Sequence, residues 1–352
     1  MSDPASPSAA QRVPQSAPKI YNVAVLGAGD MGGNHVRGWQ EAGHRVLSIT
    51  DIDTERANTL AERHGIERVL SDIDIAIADP DVDIVSICLP LSFHAPVTIA
   101  AAKHGKHVMC EKPLAPSIAD ATAMEAAVRE AGVTFALGMQ RNWAGGVEVL
   151  RQRAAEGQFG RPMVFNSDLL QEVRPKVVMH DRNGNNGPLT DACCHYYLLW
   201  QTVFRSRPTT VYAQGRIIAT ERPEIASFRA LALDTAVVTM AFESGDIGTM
   251  TVSWGLPKHF AMPGRQDRII GPAGGAEGEV RSELTIYRGS QEETVTIPDE
   301  NLHATEFKDF IAAIESGRRP RHEFVVGREL IQVTRAIEDS IATGQPVRVP
   351  HD

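Results

Sequence analysis

Ile20-Tyr21-Asn22-Val23-Ala24-Val25-Leu26-Gly27-Ala28-Gly29-Asp30-Met31-Gly32 is the stretch whose reading decides the fold. Ile20–Leu26 is a short β-rich run that enters a G-x-G-x-x-G turn, and Asn34–Ala42 continues as a helix pattern. Between a strand and a helix, Gly27 permits the tight turn and Gly29 lets backbone approach a pyrophosphate. Gly32 lets the helix pack on the strand, so that its N-terminus faces the anion with Asp30 and Met31 at the tip.

A second strand, Val46–Thr50, ends at Asp51, about 20 residues beyond the turn. A carboxylate there accepts from a ribose 2′-hydroxyl and repels a 2′-phosphate, so NAD is expected over NADP. The bland alternative is an ordinary strand–turn–helix with a solvated Asp51. Asp53 lies past the strand end and reads as the cap of a helix over Thr54–His64, closed by Gly65.

Working outward, strands and helices alternate. Asp83–Leu89 is a near-continuous apolar strand, Pro96–His104 a helix, His107–Cys110 a strand, Ile118–Ala131 a helix capped by Ser117, and Thr134–Leu137 a strand. This alternation predicts a doubly wound parallel α/β sheet of the Rossmann type. After Gly138 the pattern changes. Ala236–Phe242 and Ile247–Trp254 alternate around a Glu243-Ser244-Gly245-Asp246 turn, and Pro162–Asn166, Thr210–Gln214 and Ser282–Tyr287 are strand-like. Helices are expected over Val147–Glu156, Asp191–Phe204, Thr305–Ser316 and Gly327–Ala342. The second part is therefore α+β, with a largely antiparallel, open-faced sheet. The expected division is a disordered tail over 1–19, a nucleotide-binding domain over 20–142 and a substrate and oligomerisation domain over 143–352.

At 352 residues two domains are the better expectation. Charge and composition exclude some partners. The formal net charge is −9, which argues against nucleic acid or an anionic membrane as the main partner. No apolar run approaches the ~18 residues of a membrane span. The Ser-, Ala-, Pro- and Gln-rich start carries no apolar block of signal-peptide length, so a cytoplasmic location is expected. Cys88, Cys110, Cys193 and Cys194 show neither a disulfide framework nor a Cys-x-x-Cys metal spacing, and reduced thiols are expected.

Chemistry-bearing residues fall at the ligand edge of the first sheet. Leu89-Pro90 follows the central strand, and His94 in the next turn is read either as a cofactor contact or as a helix-start residue. Lys112 lies just past the strand ending at Cys110, with Pro113 holding it extended; an isolated lysine there is otherwise a solvated surface group. Asp191 and His195 are four apart. On one helix they share a face, where a carboxylate can orient an imidazole. Spacing alone favours a surface pair, but Tyr196-Tyr197-Leu198-Leu199-Trp200 implies a buried helix. A metal held by Asp191, Cys194 and His195 lacks a clear fourth ligand, and no metal is expected.

Taken in order, these residues resemble the Gfo/Idh/MocA oxidoreductases. The likeness spans nearly the whole chain from about Ile20. It rests on the glycine turn, Val82-Asp83-Ile84-Val85 leading to Pro90 and His94, and Gly138-Met139-Gln140-Arg141. Gly157-Gln158-Phe159-Gly160-Arg161-Pro162, Asp191-x-x-x-His195 and above all Gly105-Lys106-His107-Val108-Met109-Cys110-Glu111-Lys112-Pro113-Leu114-Ala115 complete it.

The resemblance implies an NAD-dependent oxidoreductase acting on a secondary alcohol of a sugar, sugar derivative or cyclitol. Lys112 would hydrogen-bond the substrate oxygen, His195 would take the hydroxyl proton, and Asp191 would orient substrate or His195. A desolvated Lys112 beside a cationic nicotinamide is expected to have a lowered pKa. Glu111 and Gln140 join the expected cofactor contacts. Arg141, Trp143, Arg174 and His180 are the expected substrate contacts, the last two on the polar loop Glu172–Asn186. A homodimer or homotetramer is expected. Two departures stand out: Cys193 and Leu198 occupy places where the family often has Gly and Asp, and Leu198 seven residues from Asp191 would remove a polar group from the site. An NAD-assisted glycosidase or eliminase using transient oxidation, and a catalytically silent NAD-binding regulator, are the alternatives.

Overall fold

The computed structural model describes residues 19–351 other than 175, 183 and 261–263. The tail read over 1–19 therefore lies outside them, save its last residue. The first sheet is built from β1 (Asn22–Leu26), α1 (Asp30–Glu41), β2 (Arg45–Thr50), α2 (Thr54–His64), β3 (Arg68–Leu70), α3 (Ile73–Ala78), β4 (Ile84–Ile87), α4 (His94–Lys103), β5 (His107–Glu111), α5 (Ile118–Ala131) and β6 (Phe135–Gly138). Its order is β3-β2-β1-β4-β5-β6, and every pair is parallel. The order reverses between β1 and β4, which opens a ligand crevice beyond their carboxyl ends.

Local chemistry explains these elements. β4 is buried along its whole length, as a strand covered on both faces must be. Asp53 caps α2 by accepting the Arg56 N–H, and Gly65 closes it in the left-handed conformation at φ 66°. Ser117 caps α5 through the Asp120 N–H, and Gly132 closes it at φ 67°. β3 and α3 are additions to the reading from sequence.

The second sheet is assembled from α6 (Gly145–Ala155), β7 (Val164–Glu172), α7 (Gly187–Asp191), α8 (Cys194–Phe204), β8 (Pro208–Arg216), β9 (Thr235–Phe242), β10 (Ile247–Leu256), β11 (Arg265–Gly271), β12 (Gly274–Glu279), β13 (Glu283–Arg288), β14 (Gln291–Thr296), α9 (Leu302–Ser316), α10 (Phe324–Thr343) and β15 (Val347–Arg348). Nine strands lie in the order β14-β13-β12-β11-β7-β10-β9-β8-β15. Only β7 and β10 pair in parallel among these neighbours; the rest are antiparallel. One face packs on helices. Gly248 makes this possible, because a Cβ there would lie 2.3 Å from the Trp200 ring.

The last two helices return to the first sheet. Phe307 of α9 stacks on Trp39 of α1 at 4.1 Å between ring centroids, and Gly38 leaves the room it needs. Phe324 of α10 stacks on Phe135 of β6, also at 4.1 Å. Helices from the end of the chain thus cover both faces of the first sheet, and α7 and α8 are held against its ligand edge.

One expected helix is two. The reading of Asp191–Phe204 as a single helix is corrected by a break at Ala192–Cys193: the Pro188 carbonyl accepts from both the Ala192 and Cys193 N–H groups, each at 2.9 Å. The chain then restarts as α8, with the His195 N–H donating to the Ala192 carbonyl at 3.3 Å.

Candidate functional site

The glycine turn is shaped by steric necessity. Gly27 has φ +101°, and a Cβ on it would lie 2.5 Å from the Cys88 carbonyl oxygen; a Cβ on Gly32 would lie 1.9 Å from the Gly27 carbonyl oxygen. At Gly29 the space is open, and the nearest atom to a Cβ there is Lys176 Nζ at 3.9 Å. Gly29 is the N-cap of α1, so no side chain caps the first turn. An open cradle over an uncapped helix N-terminus fits a dinucleotide's pyrophosphate.

Asp51 sits at the edge of this cradle, almost fully buried. Its carboxylate accepts the Ala28 N–H at 2.7 Å, the Asp53 N–H at 2.9 Å and Arg56 Nη2 at 2.7 Å. Burial works against its charge, but the Ala28 N–H and Arg56 outweigh it and hold the carboxyl below the usual range. Around the turn runs an open cleft of about 820 Å³, lined by Ala28, Gly29, Asp30, Arg37, Arg56 and Lys176 among others.

The second cluster joins the two halves. The helix break withdraws the His195 N–H from the Asp191 carbonyl, and that carbonyl accepts Lys112 Nζ at 2.7 Å instead. The ammonium also lies 3.5 Å from Asp191 Oδ1, which accepts Asn185 Nδ2 at 3.2 Å. One expectation changes here. Asp191 pairs with Lys112, and no hydrogen bond or ion pair joins it to His195 among the described residues. Among the protein's own groups the Lys112 pKa is raised: burial opposes the charge, but Asp191 above all restores it.

His195 is buried, and its Nδ1 has no hydrogen-bond partner among the described residues. Burial, then the charge of Lys112, hold its pKa well below the ordinary value, so the ring is neutral. Leu198 is also corrected. With the helix broken, its seven-residue offset no longer places it with Asp191; it lines a different cleft with Glu148, Arg151 and Gln201.

Two internal ties fix the loop that carries Lys112. Glu111, expected as a cofactor contact, turns inward. Its carboxylate meets His35 Nε2 at 3.0 Å and accepts the Lys112 N–H at 3.2 Å, while His35 Nδ1 meets Ser86 Oγ at 2.8 Å. Burial resists the Glu111 charge, but His35 carries the pKa down to about 2. His303 brings a third ligand-type atom within 4.8 Å of that pair, but both His35 nitrogens are already engaged. The second tie is His94, whose ring nitrogens reach the Pro113 carbonyl at 2.7 Å and the Leu89 carbonyl at 3.0 Å. It staples the Leu89-Pro90 turn to the Lys112-Pro113 turn.

The expected substrate residues are dispersed. Arg141 is buried, donating to Asp267 at 3.0 Å and Glu279 at 2.9 Å, with its guanidinium over the Tyr196 ring. Trp143 donates to Glu306 of α9 at 3.2 Å. His180 accepts the Arg174 N–H at 2.9 Å, and both side chains lie against the Trp254 ring. Gln140 keeps a buried Oε1 without a partner among the described residues. All four cysteines are free thiols.

Comparison with known proteins follows the same division. Residues 21–139 match the model of an oxidoreductase family with an NAD-binding Rossmann fold, and residues 147–277 match the GFO/IDH/MocA C-terminal domain. The chain is 26% identical to the myo-inositol 2-dehydrogenase of Thermotoga maritima, covering 93% of this chain and 98% of that one. It is 25% identical to the scyllo-inositol 2-dehydrogenase (NAD(+)) of Bacillus subtilis, covering 93% and 95%. The solved structure of levoglucosan dehydrogenase in complex with NADH superposes with a TM-score of 0.85 at 24% identity, over 95% of this chain and 100% of that one. That likeness establishes a shared fold.

Proposed function

The chain belongs to the Gfo/Idh/MocA oxidoreductases, with an NAD-binding Rossmann fold at its N-terminal end, and on that premise we propose that it is a dehydrogenase of a secondary alcohol on a sugar, sugar derivative or cyclitol, using NAD in preference to NADP. The observation that carries this reading is the Lys112–Asp191 contact beside a neutral, buried His195. It joins a lysine at the nucleotide edge to the second half of the chain.

The cofactor would rest on the Gly27–Gly32 turn, with Asp51 at its ribose. When bound, its nicotinamide supplies the hydride acceptor. Lys112, kept charged by Asp191, donates to the substrate oxygen and stabilises negative charge as it develops there. His195, kept neutral by burial and by Lys112, accepts the hydroxyl proton. Glu111 and His94 hold the Lys112 loop in place. The preference for NAD is supported by Asp51, whose carboxylate repels a 2′-phosphate.

The same reading includes a homodimer or homotetramer. The second sheet exposes Tyr212, Val237, Ile270 and Tyr287 on its strands, and apolar side chains left exposed on a sheet favour association. Light scattering on the eluting protein measures the assembly. For the activity, a panel of cyclitols and sugars with NAD and with NADP is followed by absorbance of the reduced nicotinamide. NADH formation with at least one polyol is the expected result, and none across the panel refutes the reading.

A further inference from the structure

Lys176 belongs to the loop after β7, yet it reaches the glycine turn of the first sheet. Its Nζ lies 3.0 Å from Asp30 Oδ2 and 3.9 Å from the position of a Cβ on Gly29. Of the other cations lining this cleft, Arg56 is committed to Asp51 at 2.7 Å and Arg37 to Asn34 at 2.6 Å, while Arg63 lies farther along α2. We propose that Lys176 is a cofactor ligand delivered across the cleft, its ammonium binding the pyrophosphate over the N-terminus of α1.

The Lys176–Asp30 contact is weak enough to be exchanged for a stronger anion. Both partners are exposed, at 47% and 81% for the side chains, and ion pairs of that kind contribute little to stability. A pyrophosphate brings more charge to the same place, beside N–H groups that no side chain caps. It also arrives beside the Asp30 carboxylate, whose repulsion Lys176 offsets. A lysine suits the task, because its ammonium is a point charge with rotatable donors that can turn from carboxylate to phosphate.

Described residues on either side of Lys176 are tied by hydrogen bonds. The Met179 N–H donates to the Lys176 carbonyl at 2.9 Å, and His180 accepts the Arg174 N–H at 2.9 Å. Further along, Asn185 Nδ2 donates to Asp191 Oδ1 at 3.2 Å. Lys176 and Asn185 thus lie on the same loop, which links the glycine turn to the Lys112–Asp191 pair. This inference rests on the family's NAD-binding fold and not on the identity of the substrate.

Its test is a binding titration of the full chain and of Lys176→Met with NADH, ADP-ribose and adenosine, at low and high salt. Lys176→Met should weaken NADH and ADP-ribose about five- to twentyfold, leave adenosine within twofold, and flatten the salt dependence. An ADP-ribose affinity within twofold of wild type would overturn the proposal, as would an equal loss for adenosine. Failure of wild type to bind NADH and ADP-ribose would instead strike at the cofactor reading beneath it. The exposed position of Lys176 leaves the fold intact in the variant.

Discussion

Lys112 Nζ is 2.7 Å from the main-chain carbonyl of Asp191 and 3.5 Å from its carboxylate. The first distance depends on an interruption. In a continuous helix that carbonyl would accept the His195 N–H, but the break after Asp191 sends that N–H to Ala192 and releases an acceptor at the edge of the first sheet. The lysine, the carboxylate and the start of the helix carrying His195 are thereby locked together across two sheets.

Removing the ammonium should separate chemistry from binding. Lys112→Met is expected to lower kcat about 10²- to 10⁴-fold while changing NADH affinity by only a few-fold, because Lys112 meets Asp191 and not the glycine turn. Steady-state rates and a fluorescence titration of the same preparation check this. A parallel loss of NADH binding would show that Lys112 supports the cofactor instead.

The pH profile should report His195. Oxidation requires the ring neutral, and burial and Lys112 lower its pKa, so neutral ring persists as pH falls through the ordinary histidine value of about 6.5. The acid limb of kcat/KM is expected below that value, and His195→Ala should cost about 10²-fold or more. An acid limb at or above 6.5 that vanishes in the variant would contradict this account of its environment.

Cofactor preference should turn on Asp51. Its removal takes away the repulsion of a 2′-phosphate and frees Arg56, which now donates to it at 2.7 Å. Asp51→Ser is expected to lower the NAD-over-NADP ratio of kcat/KM by tenfold or more, about 1.4 kcal/mol. An unchanged ratio would mean that the carboxylate does not face the ribose.

Arg141 should prove a packing residue. Its guanidinium neutralises two acids on the inner side of the second sheet, one of which, Asp267, burial has already pushed up to about 6 despite Arg141. Arg141→Met strands buried charge and is expected to destabilise by about 3–5 kcal/mol, seen as a lower urea midpoint. A raised substrate KM with unchanged stability would place Arg141 at the substrate.

What sequence alone disclosed follows from where the signals are local. α2 and α5 announce themselves through Asp53, Gly65, Ser117 and Gly132, each acting within one turn of its helix end. α3 does not, because Ile73-Asp74-Ile75-Ala76-Ile77-Ala78 alternates with strand period over only six residues. β12 is rich in glycine, and β14 is polar and exposed, so neither shows the alternation that marks β9 and β10. The most consequential omission is the break at Ala192–Cys193. No glycine or proline stands there, and the interruption is balanced by a lysine distant in sequence. The residues of the candidate site were legible by type and order. Their pairing was not: Glu111 with His35, Asp191 with Lys112 and Lys176 with Asp30 are all contacts between distant parts of the chain.

The most direct measurement follows a label. With a polyol that yields NADH, deuterium is placed on the carbinol carbon and the nicotinamide is analysed by mass spectrometry after one turnover. Deuterium is expected in the reduced nicotinamide with wild type, and no labelled nicotinamide in the same time with Lys112→Met. Deuterium lost to water or kept in product without net NADH, or label transfer at the wild-type rate in Lys112→Met, would contradict that expectation.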